Sequence, residues 1–307
     1  KIAGVRVDND VGFNPRPKIK IRGINYGTLL MLDGVILSDL EGENRILNQI
    51  SLYDVERVEV ARGAFSSLYG AGAIGGVVNF ITSMPTQFQS QFLISYGNEF
   101  INNTADKNLI RAFASVGDVF IDKRLRLKLS AGYTHSNGYS SFPTILPSSE
   151  TNTSNINNMV IDKAGNRIIG DGGKRNYTIY DIRLKAEYDI SDSDILSSMI
   201  SFSNHNYTFG HFKSYISDKN TGESTNLVNG KDYFVGSWLG GMGTYSHLLG
   251  NLTYQHDFEE SYFKISFSTM NLFSLWQDAK QGEGDRYGGA GSTQDIDSTS
   301  NYLDMLY

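Results

Sequence analysis

Along much of this 307-residue chain, apolar and polar residues alternate one by one. The clearest run is Lys123–Thr134. There Leu125, Leu127, Leu129, Ala131 and Tyr133 point one way, and Arg124, Arg126, Lys128, Ser130 and Thr134 the other. Tyr180–Ile190 repeats the pattern, setting Ile182, Leu184, Ala186 and Tyr188 against Asp181, Arg183, Lys185 and Glu187. Tyr262–Met270 does so again, with Phe263, Ile265 and Phe267 opposite Lys264, Ser266 and Ser268. Residues 89–97, 109–118, 194–206 and 247–258 are weaker strands of the same kind. A period of two sustained over about ten residues is the pattern of a transmembrane β-strand. Eleven such residues at a tilt near 45° cross about 25 Å, the height of an apolar band.

The connections sharpen this picture. Short turns (Ser191-Asp192-Ser193 and Glu259-Glu260-Ser261) alternate with long loops near 137–176 and 208–246. Outer-membrane barrels have short turns on one rim and long loops on the other. A soluble β-sandwich has evenly short turns. The strand count is about seven. Bacterial barrels close with even numbers from eight upward, so the chain is expected to be part of a longer protein.

Residues 1–85 obey a different grammar. Short β-branched runs are separated by glycine-rich turns: Ile19–Gly23, Leu29–Gly34 and Val55–Val60. Asp33-Gly34 between two apolar runs predicts a hairpin. Arg45–Tyr53 is compatible with a short helix, and Met84-Pro85 marks a boundary.

Composition narrows the function. There is no cysteine, which excludes disulfides and thiolate chemistry. A net charge of −6 argues against a nucleic-acid partner. No apolar run reaches the length of a transmembrane helix, but barrel strands escape that test. Gly70–Gly75 spells G-x-G-x-x-G, yet Val77–Ile81 after it has strand character, and a dinucleotide site needs a helix there. His205, His211 and His247 sit around one long loop, where imidazoles could reach a metal or haem iron, but polar loop positions are the commoner role. No Ser/His/Asp arrangement or carboxylate pair suggests catalysis, and no cofactor or metal site is expected. Tyr96, Phe120, Tyr133, Tyr188, Tyr254 and Phe263 suit an aromatic girdle at a membrane interface.

Four blocks in order resemble the plug domain of TonB-dependent outer-membrane receptors: Ile21–Thr28 with Leu32–Val35, Val55–Gly63, Ser67–Gly70 and Ala73–Thr82. The plug is especially similar to those of vitamin B12 and catecholate-siderophore receptors. It departs from them at Ala64, where the family commonly has proline. The resemblance implies an all-β fold: a mixed plug domain at 1–85, followed at 86–307 by the first part of an antiparallel transmembrane β-barrel. The whole would be a plugged barrel of about 22 strands, with N- and C-terminal parts lying outside this sequence. It also implies residence in the outer membrane of a Gram-negative bacterium, in contact with lipid. TonB would be the partner, reached through an N-terminal box expected before Lys1.

The cargo implied is a large scarce nutrient, a ferric siderophore first; cobalamin, haem or a nickel chelate are the alternatives. A porin-like channel and a secreted β-type adhesin are the readings from other classes. By position, Arg16, Asn25, Tyr26, Glu41, Glu43 and Arg45 are the candidate ligand contacts on the plug's apical loops. On the barrel side the candidates are Tyr207, Phe209, His211, Tyr233, Phe234 and Trp238. Arg57, Glu59 and Arg62 are candidate plug–barrel contacts. Their expected partners are the lumen-facing Arg124, Arg126, Lys128, Asp181, Arg183, Lys185 and Glu187.

Overall fold

A computed structural model describes residues 3–10, 16–24, 27–37, 47, 51–64, 71–98, 108–137, 143–171, 176–209, 213–233, 241–278 and 293–307. The first six strands form a small unit. β1 (Val5–Asp10) and β2 (Arg16–Ile21) pair as an antiparallel hairpin. β3 (Thr28–Leu32), β4 (Val35–Leu37), β5 (Val55–Arg62) and β6 (Gly76–Thr82) make a sheet in the order β4-β3-β6-β5, in which β3 and β6 are parallel. The β3–β4 hairpin turns on Asp33 and Gly34, with φ of 49° and 82°; two successive left-handed residues are what a two-residue type I′ turn requires.

A 3₁₀ turn at Leu52–Asp54 leads into β5. It falls at the end of the expected Arg45–Tyr53 helix, most of which lies outside the described residues. Gly76 opens β6 at φ 150°, and a Cβ built there would lie 2.3 Å from the Ala61 carbonyl oxygen, so β5 and β6 approach closely only because this residue is glycine. No helix follows the G-x-G-x-x-G segment; β6 does.

The rest is a wall with loops. β7 (Gln89–Asn98), β8 (Asn108–Phe120) and β9 (Leu125–Ser136) come first. Four short strands follow: β10 (Pro143–Ile145), β11 (Ile156–Asn157), β12 (Val160–Ile161) and β13 (Arg167–Asp171). The wall resumes with β14 (Tyr177–Asp189) and β15 (Asp194–Phe209). β16 (Lys213–Ser214), β17 (Ser217–Asp218), β18 (Leu227–Val228) and β19 (Lys231–Asp232) are again short. β20 (Gly241–Asp257), β21 (Tyr262–Asp278) and β22 (Thr293–Leu306) complete the chain. The long strands form one antiparallel meander, β22-β21-β20-β15-β14-β9-β8-β7.

The wall therefore has eight strands where the alternation predicts about seven. β22 went unread because its outward positions include Asp295, Asp297, Thr299 and Asn301, so hydropathy scarcely alternates until Leu303 and Met305.

The wall is inside out relative to a soluble sheet. Its buried face carries Lys128, Ser130, Asp181, Arg183, Lys185, Ser201 and Ser203. Its exposed face carries Phe92, Ile94, Leu129, Ile182, Leu184, Ile200, Leu252 and Phe267. Phe92 is 73% and Ile94 64% exposed, an apolar surface that water would penalise and lipid would not. Tyr96, Phe120 and Tyr133 lie on this outer face, as expected of girdle residues. No helix among the described residues is long and apolar enough to cross a membrane.

The two long loops carry structure of their own. β13 pairs with β10, β12 and β16, and β11 pairs with β17, so the two loops interleave. Leu146, Ile156, Ile169, Ile216 and Val228 form a separate buried core beneath Met159 and Tyr233.

Candidate functional site: the plug–wall lock and the loop unit

Plug and wall share one apolar cluster. Ile21, Leu30, Leu32, Val35, Val78 and Phe80 of the plug pack with Met199, Tyr245, Leu249, Met270 and Leu272 of the wall. The small unit is thus seated on the inner face of the curved sheet.

Beside that cluster lies an ionic lock. Asp54, at the end of the 3₁₀ turn, places one carboxylate oxygen 2.8 Å from Arg183 Nη1 and the other 2.5 Å from Lys128 Nζ. Ser130 Oγ donates to the same carboxylate at 2.9 Å. Lys128 also donates to the carbonyl and hydroxyl oxygens of Ser83. The side chains of Asp54 and Arg183 are only 1% and 2% exposed. Burial opposes ionisation of Asp54, but the Lys128 hydrogen bond, the Arg183 and Lys128 charges and the Ser130 hydroxyl outweigh it and hold its pKa below the usual carboxylate value.

A second point of attachment is the β3–β4 turn. Asp33 accepts from the Thr82 amide at 2.8 Å and the Thr82 hydroxyl at 2.7 Å, and its carboxylate lies 3.1 Å from Lys185 Nζ. Lys185 donates in turn to the Thr82 hydroxyl and carbonyl oxygens at 2.6 and 3.3 Å. The hairpin turn, the last residue of β6 and β14 are thereby tied together.

Three of the seven expected lumen-facing partners, Lys128, Arg183 and Lys185, meet the plug through Asp54 and Asp33, which sequence reasoning did not select. Both had been indistinguishable from ordinary turn aspartates. Arg57 Nε and Glu59 Oε1 pair with each other at 2.9 Å with both side chains about half exposed, and Arg62 donates to the Ala3 carbonyl within the plug. Glu59 also borders a cleft beside Lys264 of the wall. Arg126 pairs with Glu187 and Asp189 inside the wall.

Of the ligand-contact candidates, Tyr207 and Tyr233 have described side chains. Tyr207 is 3% exposed on the inner face, its ring lying across Gly243, where a Cβ would come within 2.3 Å of it. The His205 ring lies 5.2 Å from that ring, tilted by 52°. Tyr233 belongs to the loop unit, where its hydroxyl donates to Glu150 Oε2 at 2.5 Å and Lys231 Nζ sits 4.9 Å above its ring. The hydrogen bond to Glu150, with desolvation and the Glu150 charge, raises the phenol's pKa. The structure does not bring these two tyrosines together. The side chains of Arg16 and Phe209, and all of Asn25, Tyr26, Glu41, Glu43, Arg45, His211, Phe234 and Trp238, lie outside the described residues.

His205 and His247 are buried on the inner face of β15 and β20, 1% and 3% exposed, rather than at a loop rim. Among the described residues, no group of three His, Cys, Asp or Glu is placed to hold a metal ion.

A membrane-facing sheet with an apolar exterior and a charged interior that grips a small mixed-sheet plug defines a plugged outer-membrane β-barrel. Residues 1–77 match the family model of the TonB-dependent receptor plug domain. The vitamin B12 transporter BtuB of Vibrio vulnificus is 30% identical over 140 residues, 45% of this chain and 22% of that protein. BtuB of Vibrio cholerae is 37% identical over 90 residues, 29% of this chain and 15% of that protein.

Two solved structures share the fold across nearly the whole chain. The siderophore receptor PirA from Acinetobacter baumannii has a TM-score of 0.60 at 19% identity, covering 98% of this chain and 40% of that one. A mutant of the ferric enterobactin receptor PfeA from Pseudomonas aeruginosa has a TM-score of 0.63 at 19% identity, covering 98% and 41%. Residues 1–77 thus carry a TonB-dependent receptor plug domain, the whole chain shares the fold of plugged outer-membrane receptors, and it spans less than half the length of these relatives.

Proposed function

We propose that residues 1–85 are the plug and 86–307 the first part of the barrel of a transporter that takes up a ferric siderophore across the outer membrane. TonB supplies the energy through a segment N-terminal to this plug. The observation that carries the reading is the lock: Asp54 and Asp33 hold the plug to Lys128, Arg183 and Lys185 on the inner wall. A solute can pass only when the plug moves, and buried ion pairs are costly to break, so passage needs an energy input. A passive channel has no use for such a lock, and an adhesin none for the apolar outer face.

Ligand is captured from the loop side. Arg16, Asn25, Tyr26, Glu41, Glu43 and Arg45 on the plug, and Tyr207, Phe209, His211, Tyr233, Phe234 and Trp238 on the wall and loops, are the proposed contacts. A siderophore is placed first because PirA and PfeA, which share the fold throughout, are siderophore receptors. Cobalamin is the second reading, favoured by the 37% identity of the BtuB segment.

Titration of the receptor in detergent with ferric enterobactin, haem, cobalamin and a nickel chelate, followed by tyrosine and tryptophan fluorescence, tests this. Saturable quenching by the ferric siderophore alone is expected. Saturation by cobalamin alone would replace the first reading with the second, and no response to any of the four would overturn both.

A further inference from the structure

The boundary between plug and wall is uneven. The hydrogen bonds and ion pairs described above all rise from β9 and β14. On the other flank, β15, β20 and β21 turn the neutral Ser197, Asn251, Thr253, Gln255 and Ser266 toward the plug, together with one cation, Lys264, which forms no ion pair with the plug among the described residues. Four of the neutral residues satisfy one another or their own strand. Asn251 Nδ2 donates to Ser266 Oγ at 2.9 Å, Thr253 Oγ1 donates to Asn251 Oδ1 at 3.1 Å and lies 2.8 Å from Ser266 Oγ, and Gln255 Nε2 donates to Asp257 at 2.7 Å.

Between this strip and the plug lies a cleft of about 520 Å³, walled on the plug side by Asp33, Glu59, Asn79 and Thr82. A second cleft of about 580 Å³ continues it, sharing Gly34, Glu59, Asn79 and Lys264. On the loop side of the cleft the contact becomes apolar, where Met199, Leu249 and Met270 meet the plug's Leu30, Leu32 and Val35.

We infer that cargo leaves along this mostly neutral strip, between the plug and β15–β20–β21, while β9 and β14 keep their hold on the plug. The inference rests on the transport reading above. Parting the plug from β9 and β14 strips partners from buried ions, whereas parting it from β15, β20 and β21 separates an apolar contact and breaks no ion pair among the described residues, since Asn251, Thr253, Gln255 and Ser266 are paired within the wall and Lys264 is not paired to the plug. Neutral donors and acceptors also suit a conduit, since they exchange partners with a passing solute without holding it as a fixed charge would. The route fits a hydrophilic cargo rich in carbonyl and hydroxyl oxygens.

These 307 residues hold no cysteine, so an introduced one is the sole labelling site in this part of the receptor, and the unsubstituted receptor treated with the same maleimide controls for the rest. Ser197→Cys, half-buried and facing the cleft, is labelled with a bulky maleimide in the folded receptor in cells. Ser95→Cys, facing inward on β7 away from the cleft, is labelled in parallel. Uptake and surface binding of radiolabelled ferric enterobactin and cobalamin are compared before and after labelling, so each folded protein is its own control. Labelling Ser197→Cys should cut uptake by about tenfold or more and leave binding unchanged, while labelled Ser95→Cys transports as before. The route is overturned if labelled Ser197→Cys still transports at its unlabelled rate, if it loses binding as well, or if labelled Ser95→Cys fails equally. An unsubstituted receptor that binds a probe but never accumulates it would sink the transport reading, and the route with it.

Discussion

Removing the Asp54 carboxylate should loosen the plug from the wall far more than removing any exposed charge. In Asp54→Ala, Arg183 stays 2% exposed without the anion that lay 2.8 Å away. Lys128 is left better off, because it keeps the Ser83 carbonyl and hydroxyl oxygens. Breaking a buried pair by deleting one partner costs about 3–5 kcal/mol, and the surviving Lys128 contacts place this case near 3 kcal/mol. At 1.4 kcal/mol per decade, that is a shift of about 150-fold in the equilibrium for local plug opening.

Hydrogen exchange of the β5 and β6 amides in detergent-solubilised receptor reads that equilibrium directly. Exchange should accelerate about 150-fold in Asp54→Ala, and by less than about fivefold in Glu59→Ala, whose pair with Arg57 is solvent-exposed and worth about 1 kcal/mol or less. Equal, small effects from both substitutions would refute the lock. A quadruple replacement of Asp54, Lys128, Arg183 and the neighbouring buried Asp181 by apolar residues of similar volume should recover most of the loss, because none of these ions is left buried without its partner.

Four further outcomes follow from the same geometry. Asp54 has a lowered pKa when folded, so its contribution is fully present above the unfolded carboxylate pKa and is lost as pH falls through the lowered value; plug amide protection should drop on acidification below about pH 4 and be flatter in Asp54→Asn. Gly76→Ala forces a left-handed backbone on a residue whose Cβ would strike the Ala61 carbonyl, and plug stability measured by hydrogen exchange should fall by about 1–3 kcal/mol or more. Leu184→Arg on the outer face should cost about 2–4 kcal/mol in folding into lipid vesicles, where a soluble sheet would tolerate it. Asn157→Cys with Ser217→Cys, directly opposed across β11 and β17, should form a disulfide on mild oxidation, seen as a gel-mobility shift, if the two long loops fold as one unit.

The wall was largely legible from the alternation, because each spanning strand must show lipid an apolar face and the lumen a polar one. Leu129 against Ser130 and Ile182 against Arg183 state that rule residue by residue. β22 was missed where its outer face is itself polar. The plug could be recognised from its four blocks, but not the way it docks. Charge type marked Arg57, Glu59 and Arg62 as equal in promise to any other, while only the path of the 3₁₀ turn decides that Asp54 enters the wall. The sequence marks Asp33 as a hairpin residue, but it also serves as an anchor, since the turn that needs it lies against Lys185. The co-folding of the two loops had no local signal. Leu146, Ile169, Ile216 and Val228 follow no period and meet only in three dimensions.

The account stands most directly on uptake in cells that either have or lack TonB. Radiolabelled ferric enterobactin should bind the receptor in both and accumulate only where TonB is present. Equal accumulation in the two would mean that the plug is no barrier, and would contradict the proposal that an energy-driven movement of the locked plug lets the cargo through.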